Sequence, residues 1–343
     1  MARWRAPRQW LDRDGSPGPL LQACLAAATA APSVHNTQPW LFHLHGDSVD
    51  VSADPDRQLG VIDLTGREQL ISVGAALFNL RAQLLARGWL PVHSLWPAAG
   101  QDGPAGRIAP GMPVPAPRAA KALAWAIPRR HTNRGPFRDA ALPDNVVTAL
   151  VRAARAEGAV LRFADPETRA GLFGLVYTAE RRWADDPAYR HELGRWTGQR
   201  PGRRDGIPAA AVGPRVAGTA VPLRDLGLAR GASRCVAGDA AGESARAVAR
   251  FEADPAVAVL YTGDGPHEWL RAGQALQRVL LTATVWGVAT TLMTQPLEIP
   301  SLRDLIADPA TGRAAQAIIR FGYPLQPAVA SPRRPWREVL NTA

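Results

Sequence analysis

A chain of 343 residues, 46% apolar and 20% charged, can bury a large core in one big domain or two without disulfides or structural metal. Its two cysteines, Cys24 and Cys235, are too few and too far apart for a disulfide scaffold or a zinc ribbon. The net charge of +10 raises nucleic-acid binding, but Lys121 is the only lysine among forty basic residues and the arginines are scattered. That skew reads as coding bias, so no nucleic-acid partner is expected, although a basic surface still draws phosphates and dinucleotides. The opening MARWRAPRQW has no apolar run behind it and no window of about 18 apolar residues occurs, so neither a secretory signal nor a membrane span is expected. The default location is the cytoplasm.

Residues 1–19, with Pro7, Pro17 and Pro19, read as a polar arm that wraps loosely or docks on a partner. An alanine-rich helix is expected over 20–30. The loop 31–40, APSVHNTQPW, then leads into a strand over 40–45 and, after Gly46-Asp47, a second over 48–53. Ser33, His35, Asn36, Thr37 and Gln38 crowd hydrogen-bonding groups between Pro32 and Pro39, which stiffen the ends. Such a loop either reads the edge of a ligand or caps the helix and shapes the turn. His43 and His45 lie two apart on one strand face, without an acidic or cysteine partner that would make them a metal site.

Leu70, Val73, Leu77, Leu80 and Leu84 recur at helical spacing and predict an amphipathic helix over 66–88, ended by Gly88. A strand is expected over 89–96. Residues 97–117, PAAGQDGPAGRIAPGMPVPAP, read as a linker and place the boundary between two halves, 1–117 and 118–343. The second half predicts helices over 118–128, 143–157 and 166–183 and a strand over 160–163. Residues 184–235 turn polar, basic and Gly/Pro-rich, as a lid or flexible excursion would. Helices over 240–251 and 266–286, strands over 256–262 and 287–293, a short helix near 301–307 and a strand over 317–321 complete the chain.

Sliding the chain by 199 residues lays the segment from Gly74 over the segment from Gly273 without a gap, with Gly74/Gly273, Ala76/Ala275, Leu77/Leu276, Gly88/Gly287 and Pro97/Pro296 matched. Each is a long helix, a glycine stop and a strand. The match points to duplication, which lets one chain mimic a homodimer.

Pro32-Ser33-x-x-Asn36-x-Gln38-Pro39-Trp40 resembles the PS-x-x-N-x-QPW loop of the flavin nitroreductase superfamily. Arg130-x-Thr132-x-Arg134, just before Pro136-Phe137, resembles its R-x-S-x-[RK] segment. With the C-terminal Pro332-Arg333-Arg334-Pro335, nearly the whole chain is similar to the Acg-like branch, in which two nitroreductase-like halves are fused. The resemblance implies an α+β fold: two halves forming a pseudo-dimer, each a mainly antiparallel sheet flanked by helices. FMN is the implied cofactor, and because each motif occurs once in the chain, one FMN per chain is expected. Ser33, Asn36 and Gln38 would come from the first half, and Arg130, Thr132, Arg134, Thr291, Arg333 and Arg334 from the second. The strand end 290–295 would lie along the ring edge, with Arg333 and Arg334 at the phosphate. Residue chemistry fits these roles. A planar guanidinium suits a phosphate dianion, an amide suits a ring edge carrying donors and acceptors, and a cation such as Arg134 near the ring stabilises the reduced anion. The arginines otherwise read as a solvated helix end and a surface pair.

The activity implied is NAD(P)H-linked oxidoreduction of nitroreductase type, with hydride passing through flavin N5 to a small nitro, quinone or similar acceptor. No catalytic side chain and no metal are needed. The alternatives are a flavin-sequestering or signalling protein with a closed lid, or a biosynthetic flavin-dependent dehydrogenase. Monomer and homodimer both stay open.

Overall fold

The computed structural model describes residues 10–96, 103–198, 202–216, 221–226 and 248–341. Most of the arm, the start of the linker, much of the excursion at 184–235, Cys235 and most of the helix expected over 240–251 lie outside these residues. Of that last segment, Val248–Ala249 is described, as a short strand paired with Arg215–Val216.

In chain order the elements are α1 (Pro19–Thr29), β1 (Trp40–His45), β2 (Ser48–Ala53), α2 (Arg67–Ala86), β3 (Trp89–Leu95), β4 (Gly106–Pro113) and α3 (Arg118–Ala126). Then come α4 (Asp144–Arg155), β5 (Val160–Phe163), α5 (Pro166–Asp185), α6 (Pro187–Trp196), β6 (Arg215–Val216), β7 (Val248–Ala249), β8 (Ala256–Thr262), α7 (Pro266–Val285), β9 (Ala289–Leu292), β10 (Ala314–Gly322) and β11 (Leu340–Asn341). Two principal sheets form, ordered β11-β1-β2-β4-β3 and β5-β8-β10-β9. Every pairing within them is antiparallel except β1 with β11. The fold is α+β. Apart from β11, the first sheet is built before residue 118 and the second after it. The C-terminal tail therefore crosses from the second sheet to pair with the first, past the loop at 31–40.

Four expectations need correction. The stretch 97–117 holds β4, which pairs with both β2 and β3. Its prolines lie beyond the stretch that β2 pairs, Val49 to Val51 opposite Gly106 to Ile108, and beside an irregular register with β3. The excursion at 184–235 is partly core: Asp186 caps α6, and Trp196, Ile207, Val212 and Leu226 are buried in an apolar cluster with Tyr189 and Trp183. The described end of the arm is anchored, because Trp10 is fully buried in the first core. Finally, α2 is not amphipathic. It is buried almost all round, Gln69, Ser72 and Asn79 included, because the first sheet packs on one side and α7 on the other.

The α2–α7 crossing organises the molecule. A Cβ on Gly74 would lie 2.2 Å from the Leu270 carbonyl oxygen, and one on Gly273 would lie 2.0 Å from the Ile71 carbonyl oxygen. Only glycine permits this approach. The two contacts are reciprocal under the 199-residue shift that aligns the segments. The Asn79 side chain accepts from Gln277 at 2.7 Å, and the shifted pair, Arg278 over the Phe78 ring, lies 5.9 Å apart. Both helices stop at a left-handed glycine, Gly88 and Gly287. Reciprocity of this kind is the pattern of an isologous twofold interface.

Candidate functional site

The loop after α1 is strained. His35, Asn36 and Gln38 all have positive φ, at 47°, 55° and 52°, a region that costs a residue with a side chain roughly 1–2 kcal/mol. Hydrogen bonds offset it. Ser33 Oγ accepts from the Gln38 amide at 2.9 Å. Asn36 Nδ2 donates to the carbonyls of Gly206 (2.9 Å) and Pro332 (3.0 Å), and its Oδ1 accepts from Arg333 at 2.7 Å. Gln38 donates to the Arg204 carbonyl and accepts from the Arg334 amide, both at 2.8 Å. This loop therefore joins the segment around 204–206 to the C-terminal tail. Strain held this way marks functional loops.

Opposite it, residues 130–135 leave the turn after α3 in extended form. They are held against β9 by a Thr132–Thr290 bridge, an Asn133 amide bond to the Thr290 carbonyl at 2.9 Å, and the Thr291 hydroxyl donating to the Asn133 carbonyl. Both segments open on one cavity, with about 980 Å³ of space free of protein atoms out to its mouth. Ser33, Asn36, Arg130, Thr132, Arg134 and Arg333 line it. Ile71, Ala75, Leu276 and Leu292, from α2, α7 and β9, give it an apolar wall, and Ile207, Arg224 and Leu226 face it from the excursion.

Three of the sequence-predicted residues do not line this cavity. Gln38 is fully buried and acts as the bolt just described. Thr291 is buried beneath β9's pairing, where it also accepts from Arg320 at 3.3 Å. Arg334 lines a separate polar pocket with Arg57, Arg203, Arg204 and Glu338. From the expected strand end at 290–295, Leu292 and Thr294 reach the cavity instead. Among the described residues no cluster suits a metal ion.

The cavity's electrostatics are one-sided at one end. Arg130 is buried with one long bond, 3.5 Å to the Ala30 carbonyl, and its Nε has no partner. Among the described residues Arg333 meets Asn36 and two carbonyls, its Nε also unpartnered there. Arg134 donates to the Ala211 carbonyl at 3.0 Å. None of the three has a carboxylate within ion-pair distance among the described residues. Burial, with Arg333 nearby, pushes Arg130 down to about 9. Burial brings Arg333 to about 10 and, with Arg224 adding, Arg134 to about 10. At the other end, Arg224 is neutralised by Glu298 and donates to Tyr189 Oη at 2.7 Å and Thr294 Oγ1 at 3.3 Å.

Sequence reasoning passed over several lining residues. His35 is buried with neither ring nitrogen partnered, and burial, then Arg224 and Arg134, holds it well below the ordinary imidazole range, so it is neutral. Burial, then Arg130 and Arg333, lowers His131 as well. Both lie inside the two motifs and were findable there. Glu68, Ser72, Arg224 and Thr294 also line the cavity, and nothing in their local sequence marks them.

No family model matches the chain. A Mycobacterium tuberculosis H37Rv protein provisionally named an NAD(P)H nitroreductase is 31% identical over 332 residues, covering 94% of this chain and 91% of that one. A second from the same strain, provisionally named NAD(P)H nitroreductase acg, is 29% identical over 340 residues, covering 94% and 95%. Among solved structures, the FMN-dependent nitroreductase NfnB of Mycobacterium smegmatis in complex with NADPH overlaps at a TM-score of 0.38 and 19% identity, over 65% of this chain and 99% of that one, too slight an overlap to bear on the site.

Proposed function

The chain belongs to the NAD(P)H nitroreductase family, in its Acg-like branch, and we propose that it is an FMN-dependent oxidoreductase that moves hydride from NAD(P)H to a nitro, quinone or similar small-molecule acceptor. One observation carries this reading. Arg130, Arg134 and Arg333 converge with Ser33 and Asn36 on a single cavity, and among the described residues none of the three has a carboxylate within ion-pair distance. A desolvated cation without a counter-charge is costly, and a phosphate dianion removes that cost with charge-assisted, two-pronged bonds. The residues present therefore fit FMN. Arg130 and Arg333 would hold its phosphate, the apolar wall would take the ring system, and Arg134, His35 and Ser33 would be left for its polar edge.

When bound, FMN supplies two-electron hydride chemistry at its N5. The chain does the rest. Arg134 would stabilise negative charge at the ring's polar edge, His35 would offer a neutral donor and acceptor, and Ile207 and Leu226 would exclude water. We read residues 1–117 and 118–343 as halves of a duplicated unit whose single complete site draws on both.

The excursion's place at the cavity also favours a second reading, a flavin-holding protein with little turnover, because Ile207, Arg224 and Leu226 line the cavity and would restrict the entry of a nicotinamide. Anaerobic NADPH separates the two: the oxidoreductase bleaches its bound FMN within a turnover, and the holder stays yellow. Failure to take up FMN at all contradicts both.

A further inference from the structure

The loop at 31–40 stands between two pockets. Ser33 and Asn36 line the cavity already described. Arg57, Arg203, Arg204 and Arg334 line the other with Asp205 and Glu338. These six residues come from three separate parts of the chain: the turn after β2, the excursion and the C-terminal tail.

The charges in this second pocket do not balance. Asp205 is shared by Arg57, at 2.8 Å, and Arg203. Glu338 pairs with Arg204 at 2.8 Å, and Arg334 Nε lies 3.9 Å from its other oxygen, too far for a hydrogen bond. Asp54, 3.4 Å from Arg57, is the third carboxylate in reach. Among the described residues, four guanidinium groups therefore share three carboxylates. Arg334 carries the shortfall: its Nη1 is buried and has no hydrogen-bond partner there, and burial, then Arg57, holds it below the ordinary arginine range. The Arg204–Glu338 pair is about half exposed, and exposed pairs contribute little, so a stronger anion displaces it readily.

The two pockets share a wall. Arg57 donates to the Thr37 carbonyl at 2.8 Å, and Gln38 ties the Arg204 carbonyl to the Arg334 amide. The Gly206 amide donates to the Asn36 carbonyl at 3.1 Å, and Ile207, the next residue, lines the cavity.

We propose that the second pocket binds a phosphate dianion, as inorganic phosphate or as the phosphate monoester of a nucleotide, and that the bound anion clamps residues 203–206 and the tail to the loop at 31–40. Planar guanidinium groups from three segments give it charge-assisted hydrogen bonds. The clamp holds Ile207 and Arg333 in place at the cavity, so it slows exchange of whatever fills that cavity. The pocket stands without the FMN reading; only the coupling rests on it. By linkage, the factor by which the anion tightens FMN is the factor by which FMN tightens the anion.

Titration calorimetry of the FMN-loaded full chain with inorganic phosphate, with chloride keeping ionic strength constant, is expected to show one phosphate bound per chain. Arg204→Gln and Arg334→Gln are each expected to weaken it about 10-fold. Glu338→Gln removes a competing carboxylate and is expected to tighten it, the opposite of what loss of a purely structural ion pair would do. Adenosine monophosphate separates the sources: tighter binding than inorganic phosphate, weakened by the same variants, assigns the pocket to a nucleotide, and equal binding assigns it to the free anion. FMN release, followed by recovery of flavin fluorescence on dilution, is expected to slow several-fold in phosphate relative to chloride in the parent and not in Arg204→Gln. No saturable phosphate binding, binding that both arginine variants leave unchanged, or phosphate that speeds FMN release overturns the proposal. If the protein takes up no FMN, the oxidoreductase reading fails instead, and phosphate titration of the FMN-free chain still decides: binding weakened by Arg204→Gln and not by Arg130→Ala supports the pocket, and the reverse overturns it.

Discussion

The orphaned guanidinium groups give the site its sharpest chemical signature. A charged hydrogen bond contributes roughly 1.5–3 kcal/mol, so Arg130→Ala and Arg333→Ala are each expected to weaken FMN binding by about 10- to 100-fold, measured by quenching of FMN fluorescence. Lysine recovers the charge but not the planar fork, so Arg→Lys is expected to fall between. The same groups make binding pH-dependent. In the free protein Arg130 loses its proton near 9 and Arg134 and Arg333 near 10. A bound phosphate raises those values, so binding takes up protons at high pH. Affinity is therefore flat below about pH 8 and falls as pH rises through 9 to 10, and a Kd that improves across that window contradicts the assignment. For the protein without FMN the sign reverses. Its folded state holds these protons less tightly than the unfolded chain, so the penalty they impose on stability is full below 9 and lifts as pH rises. Asn36 separates backbone strain from bonding. Asn36→Gly keeps the left-handed backbone and loses the bonds to Gly206, Pro332 and Arg333, whereas Asn36→Ala loses both. Alanine is expected to be the less stable by ~1 kcal/mol in thermal denaturation.

At the scale of elements, the crossing of α2 and α7 bears the most strain-sensitive contact. Gly74→Ala or Gly273→Ala puts a methyl within 2.2 or 2.0 Å of a carbonyl oxygen and must push two buried helices apart. Each is expected to cost at least the ~1–3 kcal/mol of ordinary overpacking, read as a Tm drop of several degrees. Because each methyl relieves the other's tight fit, the double variant is expected to cost less than the two added together. Most elements were legible because period and punctuation agreed: α4 begins at Pro143-Asp144, α5 at Pro166, and the glycine stops at Gly88 and Gly287 end α2 and α7. β4 was hidden by its own composition, since Gly106, Pro110, Gly111 and Pro113 read as turns when the pairing that makes them a strand lies with β2 and β3. The embedded helix α6 was obscured by the polar segment around it, although Asp186-Pro187 is a helix start and Trp196 a core residue. Within the site, the two motifs pointed to one cavity, but not to which of their members face it. Gln38 turns into the interior from a left-handed backbone, Arg334 faces another pocket, and Arg224, Glu68 and Thr294 arrive from distant sequence that only the fold assembles.

Taken whole, the molecule puts two sheets on either side of a helix pair and returns its tail from the second sheet to the first, so that Arg333 meets Asn36 across almost the full chain length. No helix among the described residues is long and apolar enough to cross a membrane. The duplication reading requires a single site, because the loop motif and the arginine motif each occur once. The most direct test is a titration of purified protein with FMN, followed by flavin absorbance and fluorescence. The account predicts saturable uptake at one FMN per chain, lost or strongly weakened in Arg130→Ala and in Asn36→Ala. Folded protein that stays colourless in excess FMN, or two FMN molecules bound per chain, contradicts it.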